Sequence, residues 1–152
     1  MGYFAIGIWH PKREYNLGTL WRSALILGAA YIFTIGKNYK KQTSDVLKTW
    51  ARIPYFHFET EEDFLKHIPY DCWLVGAELD EKSVPLAGFE HPKRAIYLLG
   101  AEDNGIPPKL LERCQHLVQL PGYFSLNVAV AGSILLYDRQ VKLPKILPQA
   151  KP

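Results

Sequence analysis

The sequence predicts an α/β fold with a mainly parallel sheet flanked by helices. Short, fully apolar runs such as Tyr3 to Trp9 (YFAIGIW) recur along the chain, as in strands buried on both faces. Between them lie segments whose apolar residues repeat at helical spacing, and strands that alternate with helices build parallel sheets. The 152 residues suffice for one domain that buries a sizeable core without staples.

Each element can be justified in order. After the strand Tyr3 to Trp9, Asn16 is placed to cap a helix carrying Leu17, Leu20, Trp21, Ala24, Leu25 and Leu27, which Gly28 closes. Tyr31 to Ile35 is the next strand, followed by a basic loop and a short helix from Ser44 to about Trp50. Tyr55 to Phe58 forms a third strand. Thr60, followed by Glu61, Glu62 and Asp63, begins a helix whose N-terminus suits those charges. Cys72 to Ala77 is a fourth strand, and Ser83 to Pro92, with Pro85 and Gly88, an irregular connection. Ala95 to Leu99 is a fifth strand. Pro107 and Pro108 open a short helix through Arg113, and His116 to Leu120 is a sixth strand. A long helix from Leu126 to about Val141 follows. Residues 1–142 read as the domain and 143–152, with three prolines, as a loose tail.

Composition narrows the function classes. Hydrophobic residues are 48% and charged residues 22%, which sets aside disordered, collagen-like and disulfide-stapled chains. No uncharged apolar run reaches the ~18 residues of a membrane span. Met1 to Trp9 lacks a basic leader and a cleavage site and reads as strand, not signal peptide. Cys72 and Cys114 stand in unrelated contexts, which points to a reducing compartment, the cytoplasm, and away from zinc. The five histidines have no metal-ligand spacing, so no metal is expected. A net charge of +3 permits a polyanionic partner without requiring one, and the basic residues cluster at Lys12-Arg13 and at Lys37, Lys40 and Lys41.

In parallel sheets ligands bind beyond the carboxyl ends of the strands, here the loops after Trp9, Ile35, Ala77, Leu99 and Leu120. Three of these loops carry unusual residues. Asn16, Gly18 and Arg22 follow the first strand, and a glycine early in a helix costs up to about 1 kcal/mol against alanine unless something approaches closely. Gly100-Ala101-Glu102-Asp103-Asn104-Gly105 follows the fifth strand, where glycines let a ligand reach the backbone. Ser125 and Asn127 open the last helix; capping accounts for one of them and not both. Taken singly, each loop also has a plain structural reading as salt bridge, turn or cap. There is no GxxxxGK[ST], no GxGxxG after the first strand and no GxSxG elbow.

Together the three loops resemble the SpoU–TrmH family of SPOUT-class RNA 2′-O-ribose methyltransferases. Its first motif, N-x-G-x-x-x-R-x-A, matches Asn16, Gly18, Arg22 and Ala24. The second, L-G-x-E-x-x-G-[IL], matches Leu99, Gly100, Glu102, Gly105 and Ile106. The third, S-L-N-V-x-x-A, matches Ser125, Leu126, Asn127, Val128 and Ala131. The family's third motif usually opens I-P-M with a longer run; here Leu120-Pro121 is followed only by Gly122-Tyr123-Phe124 before the serine.

The resemblance implies a C-terminal deep trefoil knot, S-adenosylmethionine as cofactor, RNA (transfer RNA first, ribosomal RNA second) as substrate, and a homodimer that shares its site across the interface. The apolar last helix and Trp21 are the candidate dimer surfaces. It assigns catalysis to Arg22, with Asn16, Glu102, Ser125 and Asn127 as positioning groups. Cofactor binding falls to Leu99, Gly100, Ala101, Gly105, Ile106, Leu120, Gly122, Ser125 and Leu126. A guanidinium, with its pKa above ~12, is a poor proton acceptor, so Arg22 is expected to grip a phosphate and stabilise the developing alkoxide. Lys12, Arg13, Lys37, Lys40 and Lys41 are expected to hold the RNA backbone, with Tyr15, Tyr39 or Tyr123 stacking on a splayed base. The alternatives are a knotted RNA-binding protein without catalysis, and a nucleotide-binding α/β protein unrelated to RNA.

Overall fold

The computed structural model describes residues 2–39 and 48–150. Lys40, Lys41 and most of the short helix expected from Ser44 lie outside the described residues; Thr49–Ala51 is a single 3-10 turn. In chain order the elements are β1 (Tyr3–Trp9), α1 (Glu14–Ile26), β2 (Ile32–Ile35), β3 (Tyr55–Phe58), α2 (Glu61–Lys66) and β4 (Trp73–Ala77), then β5 (Val84–Pro85), β6 (Arg94–Leu99), α3 (Pro108–Leu111), β7 (His116–Gln119) and α4 (Val128–Lys142). The strands form one seven-stranded sheet in the order β3-β2-β1-β6-β4-β7-β5, with every pairing parallel. All the carboxyl ends therefore lie along one edge, and β6 enters the centre between β1 and β4, in register Gly7↔Leu98 and Gly76↔Leu98.

The sheet is covered on both faces, which is why its central strands read as unbroken apolar runs. On one face α1 and α4 set Leu20, Ala24, Leu135 and Leu136 against Ile6, Ile8, Tyr97 and Leu99. On the other, Phe64 of α2 and Leu110 of α3 meet Phe33, Ile35, Ile96 and Leu98. Each of the buried leucines, isoleucines and phenylalanines contributes roughly 1.5–3 kcal/mol of burial. Helix α4 approaches closely because Gly132 has no side chain: a Cβ there would lie 2.5 Å from Leu20 and 2.9 Å from Leu99.

Several expectations need correction. Asn16 does not cap α1. The helix begins two residues earlier, at Glu14, after the extended Arg13 and without a side-chain cap, because the Asn16 amide is engaged elsewhere. Asn127 is the cap of α4, accepting from the Ala129 and Val130 amides, and Thr60 caps α2 as expected. The irregular connection hides β5, whose two residues, one a proline, carry no periodic signal. Trp21 is no surface group: it is buried, stacks on Tyr55 and donates to the Ile53 carbonyl. Within the tail, Lys145 Nζ donates to the Gly28 carbonyl and the Lys145 amide to the Gln140 side chain, while Ile146 is almost fully exposed.

The carboxyl end of α4 is clamped by a buried polar network. Arg139 donates to the carbonyls of Pro92 and Lys93 and to the Tyr97 hydroxyl. Lys142 donates to the carbonyls of Leu86 and Phe89. His91 meets Tyr97 through Nδ1 at 2.6 Å and Asp138 through Nε2 at 2.8 Å. Because the Asp138 carboxylate can only accept, Nε2 carries the ring proton, and the Tyr97 hydroxyl, which accepts from Arg139, donates to a bare Nδ1, so the network is complete with a neutral ring. Burial, with Arg139 and Lys142 nearby, holds the His91 pKa below its ordinary value despite the opposing pull of Asp138. A depressed histidine pKa means the unfolded chain takes the proton first. Its contribution to stability is full above about pH 6.5 and lost as pH falls through the lower folded value. The urea midpoint of the native chain should therefore fall more steeply between neutral and mildly acid pH than that of His91→Gln, a difference that denaturation curves at several pH values measure directly.

Candidate functional site

Three loops at the carboxyl edge of the sheet enclose a cavity of about 690 Å3, a size ordinary for small-molecule sites. The loop after β4 contributes Ala77 to Asp80, the loop after β6 contributes Leu99 to Ile106, and the segment from Gln119 to Val128 closes the third side, except for Gly122 and Tyr123. This is the edge at which parallel sheets bind ligands.

The loop after β6 is folded back on itself. Gly105 N donates to the Ala101 carbonyl, and a Cβ on Gly100 would lie 2.2 Å from the Gly105 backbone, so only glycine fits there. Gly105 has φ +65°, a left-handed conformation that also favours glycine. Glu78, at the end of β4, holds this loop from below, its Oε2 accepting from Ile106 N at 2.8 Å and its Oε1 from Leu79 N at 3.0 Å. A Cβ on Gly105 would lie 2.1 Å from that carboxylate. Sequence reasoning marks the loop after Ala77 but misses Glu78, whose only signal is an acid at the carboxyl end of a strand.

A chain of side chains crosses the cavity mouth. Asn16, only 2% exposed, donates through Nδ2 to Glu102 Oε1, and its Oδ1 accepts from Asn127 Nδ2 at 3.0 Å. Asn127 in turn accepts from the first amides of α4. One buried amide therefore joins α1, the loop after β6 and the cap of α4. Lys12, on the loop after β1, pairs with Asp103 beside Glu102, and Arg13 donates to the Tyr15 hydroxyl.

Of the sequence-derived residues, Leu99, Gly100, Ala101, Gly105, Ile106, Leu120, Ser125 and Leu126 line the cavity, as do Glu102 and Asn127. Gly122 does not; it lies in the exposed turn before the lining segment. Asn16 reaches the cavity only through its two partners. Lys12 and Arg13 stand at the mouth, whereas Lys37 lies on the loop after β2, its ammonium 5.2 Å from the Tyr39 ring. Arg22 is apart. Six residues beyond Asn16, it is about 9 Å further along the helix and about 240° around it. It is exposed, has no hydrogen bond or ion pair among the described residues, and does not line the cavity.

The lining has a definite chemistry. Leu99, Ile106, Leu120 and Leu126 offer apolar walls for a flat heterocycle, and Glu78, Asp80, Glu102 and Asp103 offer four carboxylates. Among the described residues no lysine or arginine lines it, so this lining suits a cation and not a phosphorylated nucleotide. Cys114, beside Gly76, is no nucleophile, since burial pushes its pKa up to about 12. No helix among the described residues is long and apolar enough to cross a membrane.

Comparison with known proteins gives a consistent picture. The family model described as the SpoU rRNA Methylase family matches residues 3–137. A 23S rRNA (guanosine-2′-O-)-methyltransferase from Acinetobacter baylyi is 28% identical over 133 residues, covering 82% of this chain and 54% of that protein. A tRNA (guanosine(18)-2′-O)-methyltransferase from Aquifex aeolicus is 24% identical, covering 85% of this chain and 64% of that protein. The crystal structure of an AdoMet-bound rRNA methyltransferase from Sinorhizobium meliloti superposes with a TM-score of 0.84 at 24% identity, over 93% of this chain and 57% of that one. The chain thus spans little more than half the length of relatives that it matches.

Because Asn16 satisfies partners on two other elements, its removal should be felt by fold and site together. Asn16→Ala should lower stability by about 1–3 kcal/mol. Asn16→Asp, which sets a second carboxylate against Glu102, should cost more. Urea denaturation of both variants, beside the native chain, tests the ranking.

Proposed function

The chain belongs to the SpoU rRNA methylase family, and on that premise we propose that it transfers a methyl group from S-adenosylmethionine to the 2′-oxygen of an RNA ribose. The observation that carries this reading is the Asn127–Asn16–Glu102 chain across the mouth of an acidic, apolar-walled cavity. The cofactor, when bound, supplies an electrophilic methyl on a sulfonium, a cation that the cavity's carboxylates suit. Leu99, Gly100, Ala101, Gly105, Ile106, Leu120 and Leu126 hold its adenosine end, with the loop backbone kept open by the two glycines. Gly122 acts on the shape of the segment before Ser125. Glu102, Ser125 and Asn127 position the ribose hydroxyl, and Asn16 positions Glu102 and Asn127. Alignment of this kind can supply several kcal/mol, up to ~7–11 in ideal cases.

Arg22 stabilises the developing alkoxide and grips the adjoining phosphate with its planar fork. Since it lies outside its own cavity, it works in the cavity of a second copy. The exposed apolar residues Val130, Ile134, Tyr137 and Val141, repeating along α4, support a homodimer. The reading extends to a deep trefoil knot built from the loops 100–107 and 120–127 and α4 within residues 1–142, with 143–152 as an appended tail, and to a cytoplasmic location. The central place of β6 and the closure of the cavity by those two loops support the knot. Lys12, Arg13, Lys37, Lys40 and Lys41 hold the RNA backbone, which makes binding salt-sensitive. Transfer RNA is the substrate assigned; ribosomal RNA is the second reading, favoured by the rRNA enzyme of A. baylyi.

The test is transfer of labelled methyl from S-adenosylmethionine to bulk tRNA and bulk rRNA. Label at an alkali-resistant linkage is the expected result, and its absence from both pools with the cofactor bound would overturn the reading. Arg22→Ala should lower kcat about 100-fold or more while leaving stability within about 0.5 kcal/mol, because the side chain is exposed. Arg22→Lys should recover little, since it keeps the charge and loses the fork.

A further inference from the structure

Residues 121–127 form an outer lip of the cavity, and all are exposed. Two of them are large aromatics: Tyr123 is 94% and Phe124 80% exposed. Their rings stand edge to face, with centroids 5.1 Å apart and planes at 79°. Among the described residues each has ring contact only with the other, and the Tyr123 hydroxyl has no hydrogen bond. Neither side chain serves the core, yet both are held in place. Gly122, at φ 143°, turns the backbone just before them, and the Asn127 cap of α4 fixes the chain just after. Phe124 itself lines the cavity, one residue before Ser125.

The opposite lip has the complementary chemistry. Lys12 pairs there with Asp103, and Arg13 and Tyr15 follow it. Tyr39, by contrast, is committed to the Pro11 carbonyl. A polyanionic strand crossing the mouth would find cations on one side and an unpartnered aromatic pair on the other. That division matches an RNA chain, whose phosphates seek cations and whose unstacked bases seek π-faces.

Building on the methyltransferase reading above, we propose that Tyr123 and Phe124 form a stacking platform for one unpaired nucleobase of the RNA, next to the ribose that reacts. The platform recognises a base by its face and not by its hydrogen-bonding edge, so it selects an unpaired nucleotide over a paired one without selecting a sequence. The two residues are positioning groups for the substrate, with Phe124 at the junction of lip and cavity.

The test uses the full chain and three measurements: steady-state methylation of bulk tRNA and bulk rRNA, calorimetric binding of S-adenosylmethionine, and sedimentation. For Tyr123→Ala/Phe124→Ala, the KM for the RNA pool that the native chain methylates should rise about 5- to 150-fold. Cofactor affinity and oligomeric state should be unchanged. Tyr123→Phe/Phe124→Tyr, which keeps both rings, should retain the native KM. An unchanged RNA KM in the alanine variant overturns the platform. So does an equal loss of cofactor affinity, which would put the rings in the cofactor site, or dissociation to monomers, which would make them a seat for a second copy. If the native chain methylates neither pool, the enzymatic reading fails and the platform fails with it, an outcome distinct from active native protein with an indifferent alanine variant.

Discussion

The buried amide of Asn16 is the constraint on which the site depends. A side-chain amide taken out of water must find partners for its donors and its acceptor. Asn16 finds them on two separate segments, Glu102 after β6 and Asn127 before α4. Neither segment is regular structure at those positions, and neither is close to Asn16 in sequence. The bonds therefore convert two loops and a helix into one rigid mouth.

Helix α4 transmits that arrangement through the domain. Arg139, Lys142 and the His91–Asp138 pair hold its carboxyl end to the segment before β6. Asn127 holds its amino end to the cavity, and Gly132 lets its middle sink against Leu20 and Leu99. A helix fixed at three points gives the residues at its N-terminus the precision a reacting site needs, which loops alone supply poorly.

Charge is divided in a way that serves two ligands at once. The cavity is lined by carboxylates and the lip beside it carries Lys12 and Arg13. A small cation is favoured inside and a polyanion outside, so on the proposed reading cofactor and RNA would not compete for the same groups. Glu78 and Lys12 also brace the loop after β6, through Ile106 N and Asp103.

The fold class and most of the element order were legible in the sequence by itself, apart from β5. Strands β1 and β3 run over the residues expected and β2, β4, β6 and β7 differ by one residue at an end, because strands buried on both faces are written as apolar runs, whereas the two-residue β5 carries no such run. Much of the cavity lining was legible too, since Gly100, Glu102, Gly105, Ser125 and Asn127 lie in loops whose composition a plain turn does not explain. What the sequence could not contain is distance between segments remote in the chain. Glu78, 28 residues before the amide it holds, belongs to no motif, and the network around His91 joins the stretch from Leu86 to Tyr97 to the end of α4, with Asp138 47 residues beyond His91. The spacing of Asn16 and Arg22 suggests one site, but the helix turns the arginine away from the cavity its neighbour serves. Local sequence specifies which residues an element presents; only tertiary packing decides which of them meet, because that depends on where the sheet places the ends of its strands.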